Sequence, residues 1–365
     1  MDRRRFLGLV GATAGTVVGG FGTVRTTRRR GATRAGDFLA GVSVPRPPVR
    51  TLERFERWTG KRHAVVILYA TLGQSDESIA RTVSTLESIW THGHVPLLVL
   101  EPTLGTGSET PTTISRDVAS GKHDGRVDAW GDALGRWLRR GWGRADRRLF
   151  LEFAPEMNGD WIPWGAPAGE STPEDYVAMY RRVHRRVMSN DLGRTHVQWV
   201  WGPNAGGRGG IPLPDYYPGD DVVDWAAVNG YNWWNWGGWS TPAEVYGKAL
   251  DQIRTVTDAP IAVTEVACSS EVESGNDPAR KAAWITELYE YAVREELKMV
   301  CWFNHDKETD WRVFDSVRGT DETRQDGETI HVYDTYRRAM DRPTTLGVHP
   351  DDRRRLTERE FHGAF

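Results

Sequence analysis

Eight short apolar runs recur along this 365-residue chain, with helical patterns between them. The runs are AGVSV (40–44), HAVVILYA (63–70), VPLLVLEP (95–102), RLFLEFAPE (148–156), HVQWVWGPN (196–204), VVDWAAVNGYN (222–232), APIAVTEV (259–266) and KMVCWFN (298–304). Near-continuous hydrophobicity, rather than alternation, marks strands covered on both faces, as in parallel sheets. Between the runs, Ile79, Val83, Leu86 and Trp90 share one helical face, and so do Val127, Trp130, Leu134 and Trp137. Thr172-Pro173, Thr241-Pro242 and Asp277-Pro278 each set a capping side chain before a proline, whose missing N–H is harmless at the first helical position. Eight repeats in about 300 residues predict an α/β chain closed as a single (β/α)8 barrel. No glycine-rich nucleotide loop follows the first run, which weighs against an open doubly wound sheet.

The flanks differ in composition. Residues 1–35 carry Arg3-Arg4 and Arg5-Phe6-Leu7, then a weakly apolar run to Val24 and a basic linker. This reads as a twin-arginine export signal. The run is rich in Gly, Ala and Thr and falls short of the roughly 18 apolar residues of a spanning helix. Residues 36–340 are expected to form the barrel, and residues 341–365 a charged terminal helix or tail without chemistry. Beyond residue 35 the chain holds 39 basic and 49 acidic side chains, a net of −10, which weighs against nucleic acid as a partner. The expected product is extracellular or at the cell surface, monomeric and without a membrane span. Cys268 and Cys301 either pair or stay as buried thiols. No metal-ligand spacing is present, and no metal or cofactor is expected.

Chemistry in such a barrel sits at the C-terminal ends of the strands. Run four ends in Glu156, followed by Asn158; run five ends in Trp201 and Asn204, run six in Tyr231 and Asn232. Run seven ends in Glu265, and run eight in Trp302 and Asn304. Two glutamates thus face each other across the mouth, with aromatic, amide and phenol side chains around them. That set suits glycoside hydrolysis, in which one carboxyl protonates the leaving oxygen and the other attacks the anomeric carbon or activates water. Either glutamate alone could instead be a structural carboxylate in an ion pair. No histidine ends runs four to seven, and Cys268 has only His305 as a neighbouring base, so a metal site or a thiol triad is disfavoured. Trp is unusually frequent, with 17 residues; Trp161, Trp164 and the run YNWWNWGGW (231–239) lie among glycines, where aromatics serve binding.

These residues resemble glycoside hydrolase family 26, the β-mannanase family of (β/α)8 retaining glycosidases, over roughly residues 40–335. EMNGDWIPW (156–164) resembles its acid/base segment and TEVA (264–267) its nucleophile strand. WGPN (201–204), YYPGDDVVDW (216–225) leading to GYNW (230–233), and WFNHDKETDWRVF (302–314) resemble its later strand ends. ISRDVASGKHD (114–124) and ARKAAWITELYEY (279–291) follow its spacing. The resemblance implies Glu156 as acid/base and Glu265 as nucleophile. Tyr231 is expected to orient Glu265, Asn158, Asn204 and Asn232 to hold sugar hydroxyls, and Trp302 to floor the central subsite. Trp161, Trp164, Trp233 and Trp234 are the expected outer platforms.

Two positions depart from the family pattern. Pro155 stands where a histidine usually precedes the acid/base, and Glu152 where an arginine is common. Residues 152, 154 and 156 point the same way along a strand, so Glu152 is expected inside the barrel. There it either pairs with a buried arginine or raises the pKa of its neighbours. The expected partner is a β-linked polysaccharide, first of all β-1,4-mannan. Another β-glycan (β-1,3-xylan, mixed-linkage glucan or an exopolysaccharide) and a non-catalytic carbohydrate-binding barrel are the alternatives.

Overall fold

A computed structural model describes residues 34–105, 109–139, 147–348 and 355–365. The Arg3-Arg4 segment lies outside the described residues. The eight runs form eight parallel strands: β1 (Phe38–Ser43), β2 (Val65–Thr71), β3 (Val95–Glu101), β4 (Leu149–Phe153), β5 (Val197–Trp201), β6 (Trp225–Asn232), β7 (Ile261–Cys268) and β8 (Met299–Phe303). Each pairs with the next, and β8 closes on β1 with Leu39 opposite Met299 through Ser43 opposite Phe303. The chain folds as a (β/α)8 barrel.

Capping chemistry starts the helices where the sequence places it. Thr172 and Thr241 close capping boxes with Asp175 and Glu244, and Asp277 accepts from the Arg280 N–H. The face of Val127, Trp130, Leu134 and Trp137 is wholly buried. Eleven of the sixteen described tryptophans are buried, so most of the Trp excess is packing, and only the remaining five are open to a binding role.

Part of the charged terminal segment packs at the floor of the barrel. Thr345–Leu346 extends the sheet beside β1, and the Phe361 ring lies 5.0 Å from that of Phe150. Against the helix Pro48–Thr59, an antiparallel hairpin pairs Asp321–Gln325 with Glu328–Val332, tied by the ion pairs Arg54–Glu328 and Arg57–Asp326. Among the described residues no helix is long and apolar enough to cross a membrane.

Candidate active site

Glu156 stands two residues above a kink. After β4 the backbone takes left-handed conformations at Ala154 (φ 51°) and Glu156 (φ 59°), which cost about 1–3 kcal/mol each outside glycine. Three contacts hold the kink. The Glu156 N–H donates to Gly202 O at 2.7 Å, the Ala154 N–H to Leu100 O at 3.0 Å, and Trp164 Nε1 to Pro155 O at 2.7 Å. Both carboxylate oxygens are engaged: Oε1 accepts from Asn204 Nδ2 and Oε2 from Trp161 Nε1, each at 2.8 Å.

Glu265 owes its orientation to an irregularity in β7. Ala262 and Glu265 face Ala227 and Asn229 of β6, while Val263 and Val266 face Val300 and Trp302 of β8. One extra residue on β7 against both neighbours is a bulge, and it turns the successive side chains of Thr264 and Glu265 into the barrel. The Tyr231 hydroxyl donates to Glu265 Oε2 at 2.5 Å. The Tyr69 phenol on β2 faces the same carboxylate and Ser43, without closing a hydrogen bond of full geometry.

Desolvation raises the pKa of Glu156, against the donors Asn204 and Trp161. Glu265 is pushed up to about 7, first by desolvation and then by the charge of Glu156, with Tyr231 and Tyr69 pulling the other way. The protonation of Glu265 thus depends on the charge of Glu156. Glu101, at the end of β3, is a third carboxyl raised by desolvation and by Glu156.

The other expected site residues divide into two groups. Asn204, Trp161, Tyr231 and Trp233 surround the carboxylates or their rim. Trp161 is 47% exposed, and Trp233 donates from Nε1 to Glu271 Oε2 while packing 5.0 Å from Trp236. Trp234 lies half-buried in the same turn, Trp234–Trp236.

Four expectations are corrected. Asn158 is buried and spends its amide on the Asn204 backbone, donating to its carbonyl at 2.7 Å and accepting from its N–H at 2.8 Å. Asn232 points away from the mouth and ties the Ser240 backbone from both ends. Trp164 is buried as the brace of Pro155. Trp302 is fully buried on the outer face of β8, donating to Trp311 O and lying 5.8 Å from Tyr336, so it offers no face to a sugar.

Phe303, one residue on, takes the inward position instead, 5.8 Å from Tyr231. Strand parity is the signal that separates Phe303 from Trp302. Trp236, within the aromatic run 231–239, completes the rim over the buried ring of Trp311, 5.9 Å away; the sequence does not single out Trp311, Tyr69 or Asn229. Cys268 and Cys301 are free and buried, and Cys268 donates to Ser269 O, so neither a disulfide nor a thiol–histidine pair forms.

Residues 145–266, which include both glutamates, match the model of glycosyl hydrolase family 26. That third of the chain is similar to glycosyl hydrolase family 26. Endoglucanase H of Acetivibrio thermocellus is 28% identical over 76% of this chain, and β-1,3-xylanase TXYA of a Vibrio species is 25% identical over 54%. The chain spans only 29% and 42% of the lengths of these two relatives. Among solved family 26 structures, a β-mannanase of Bacteroides ovatus aligns with 88% of this chain and 94% of its own, at a TM-score of 0.60 and 16% identity. The Bacillus sp. JAMB-750 endo-β-1,4-mannanase catalytic domain aligns with 85% and 87%, at a TM-score of 0.63 and 18% identity. Likenesses at that identity speak for the fold.

Proposed function

We propose that the chain is a retaining glycoside hydrolase acting on a β-linked polysaccharide. The observation that carries this reading is the coupled pair Glu156 and Glu265, each on its own donors at the mouth of the barrel. Glu265, steadied by Tyr231, attacks the anomeric carbon while protonated Glu156 donates to the leaving oxygen. Glu156 then removes a proton from the water that releases the sugar. Asn204 and Trp161 hold the Glu156 carboxyl at the cleavage point, and Trp161, Trp233 and Trp236 offer ring faces to neighbouring sugar units.

β-1,4-Mannan is the first substrate to test, in keeping with the mannanase-like motifs. The named relatives also include a β-1,3-xylanase, which makes β-1,3-xylan the leading rival. Reducing-sugar release is measured on mannan, β-1,3-xylan and mixed-linkage glucan with wild type, Glu156→Gln and Glu265→Gln. Wild-type release from one glycan with a loss of about 10³-fold or more in both variants supports the reading. Equal release from all three proteins defeats it and leaves a carbohydrate-binding barrel. Proton NMR of the first product distinguishes retention from inversion. Export through the twin-arginine route belongs to the same proposal, and replacing Arg3-Arg4 by lysines is expected to keep the chain in the cytoplasm.

A further inference from the structure

Glu152 lies on β4, four residues before Glu156, and its side chain is fully buried in the barrel. A Cβ on Gly202 would stand 2.0 Å from Glu152 Oε1, so the bare glycine of β5's end makes room for this carboxyl. The arginine partner expected for it is absent among the described residues. Its neighbours are acidic or neutral: Glu265 and Thr264 of β7, Glu156, Tyr69 of β2, Cys301 of β8, and Tyr176 and Tyr180 of the helix Pro173–Met188. Its Oε2 has no hydrogen-bond partner, and Oε1 lies 3.1 Å from Thr264 Oγ1.

Thr264 supplies the proton count. Its hydroxyl has one hydrogen, yet Oγ1 lies between Glu152 Oε1 and Asn229 Oδ1, the latter at 2.7 Å. The shorter contact, to an amide oxygen that can only accept, takes that hydrogen. Oγ1 then turns a lone pair to Glu152, and two bare oxygens would repel unless Glu152 carries a proton and donates it. Reversing the Asn229 amide would free the hydroxyl for Glu152, but it would set Oδ1 against the Glu156 carboxylate. With the amide as described, Nδ2 is turned to Glu156 and favours its charged form, without closing a hydrogen bond of full geometry.

We infer that Glu152 is a neutral carboxylic acid and a positioning residue, which acts through Thr264 to hold the Asn229 amide nitrogen towards Glu156. Its effect on turnover rests on the acid/base role proposed for Glu156; its protonation does not.

Infrared difference spectra of wild type against Glu152→Gln at pH 9 test the protonation whether or not the protein is active. The expected result is a carboxylic-acid carbonyl band that only wild type shows. Carboxylate bands in its place overturn the inference. Thr264→Val serves if Glu152→Gln does not fold: the acid band is expected to persist at a shifted frequency, and its loss overturns the inference.

The pH dependence of kcat/KM tests the positioning. Glu152→Gln replaces one neutral donor by another, so both limbs are expected to stay within about half a pH unit. An ionised Glu152 would instead have raised both neighbours, and its removal would lower both limbs by about a unit or more. Thr264→Val frees Asn229 to turn, so the basic limb, set by Glu156, is expected to move to higher pH with kcat falling. An unmoved basic limb overturns the relay.

Discussion

At the scale of single residues, the chemistry depends on what each carboxyl feels from the other. Burial and the Glu156 charge together lift Glu265 from 4.5 to about 7. On an aryl glycoside whose leaving group needs no proton, attack requires only that Glu265 be ionised, so kcat/KM is expected to rise with pH through that region. Glu156→Gln removes the like charge and leaves the burial. The acid limb of the variant, measured on the same aryl glycoside, is therefore expected at lower pH than in wild type. An acid limb that stays in place would assign the shift to burial alone.

The same lifted pKa has a consequence for stability, with the opposite sense. The folded chain holds a proton on Glu265 between pH 4.5 and about 7 where the unfolded chain has released it. This contribution is complete below the unfolded value and is lost as pH rises through the folded one. Denaturant unfolding of wild type is expected to weaken across that window, and Glu265→Gln to weaken less.

At the scale of elements, what was legible in the sequence follows from what repeats. Continuous apolar runs locate all eight strands, since burial on both faces leaves an unbroken hydrophobic signature. Strand-end position picks out Glu156, Asn204, Tyr231 and Glu265. The β7 bulge left no such trace: its extra residue is defined only against the registers of β6 and β8. Strand-end position alone does not place Trp302; strand parity turns it outward and assigns the inward place to Phe303. Asn158 and Asn232 have the composition of sugar ligands, but their bonds go to the backbone, and composition cannot separate those uses. Glu101 ends β3 as visibly as Glu156 follows β4, yet its place beside Glu156 depends on the closed barrel.

These placements predict different consequences for two tryptophans. Trp302→Ala empties a buried site and is expected to cost about 3–5 kcal/mol in chemical unfolding, with KM of the surviving folded enzyme close to wild type. Trp161→Ala removes an exposed ring and a donor to Glu156. It is expected to change stability by less than about 1 kcal/mol, while kcat/KM falls by at least tenfold. Reversed results would return Trp302 to the subsite.

At the scale of the whole molecule, the barrel separates holding from acting along its axis. The strands' C-terminal ends carry the carboxylates, the strained backbone at Ala154 and Glu156, and the aromatic rim. Their N-terminal ends are sealed by the last residues described. There buried Arg148 donates to Leu356 O at 2.8 Å and pairs with Glu358 at 2.7 Å, while its guanidinium lies 4.8 Å from the Phe361 ring centre. Trp225 Nε1 donates to Phe361 O at 3.1 Å, so a strand that leads up to Tyr231 is anchored at the floor by the same residue. Phe361 is fully buried, and truncating a buried Phe removes both its transfer energy and its packing, about 3–5 kcal/mol. Phe361→Ala is expected to lower the unfolding midpoint by that amount. Its kcat and KM, measured well below the new midpoint and corrected for folded fraction, are expected to match wild type, because residues at this end of such barrels serve stability rather than chemistry. A fall in kcat without loss of folded protein would mean that floor and mouth are coupled through β6.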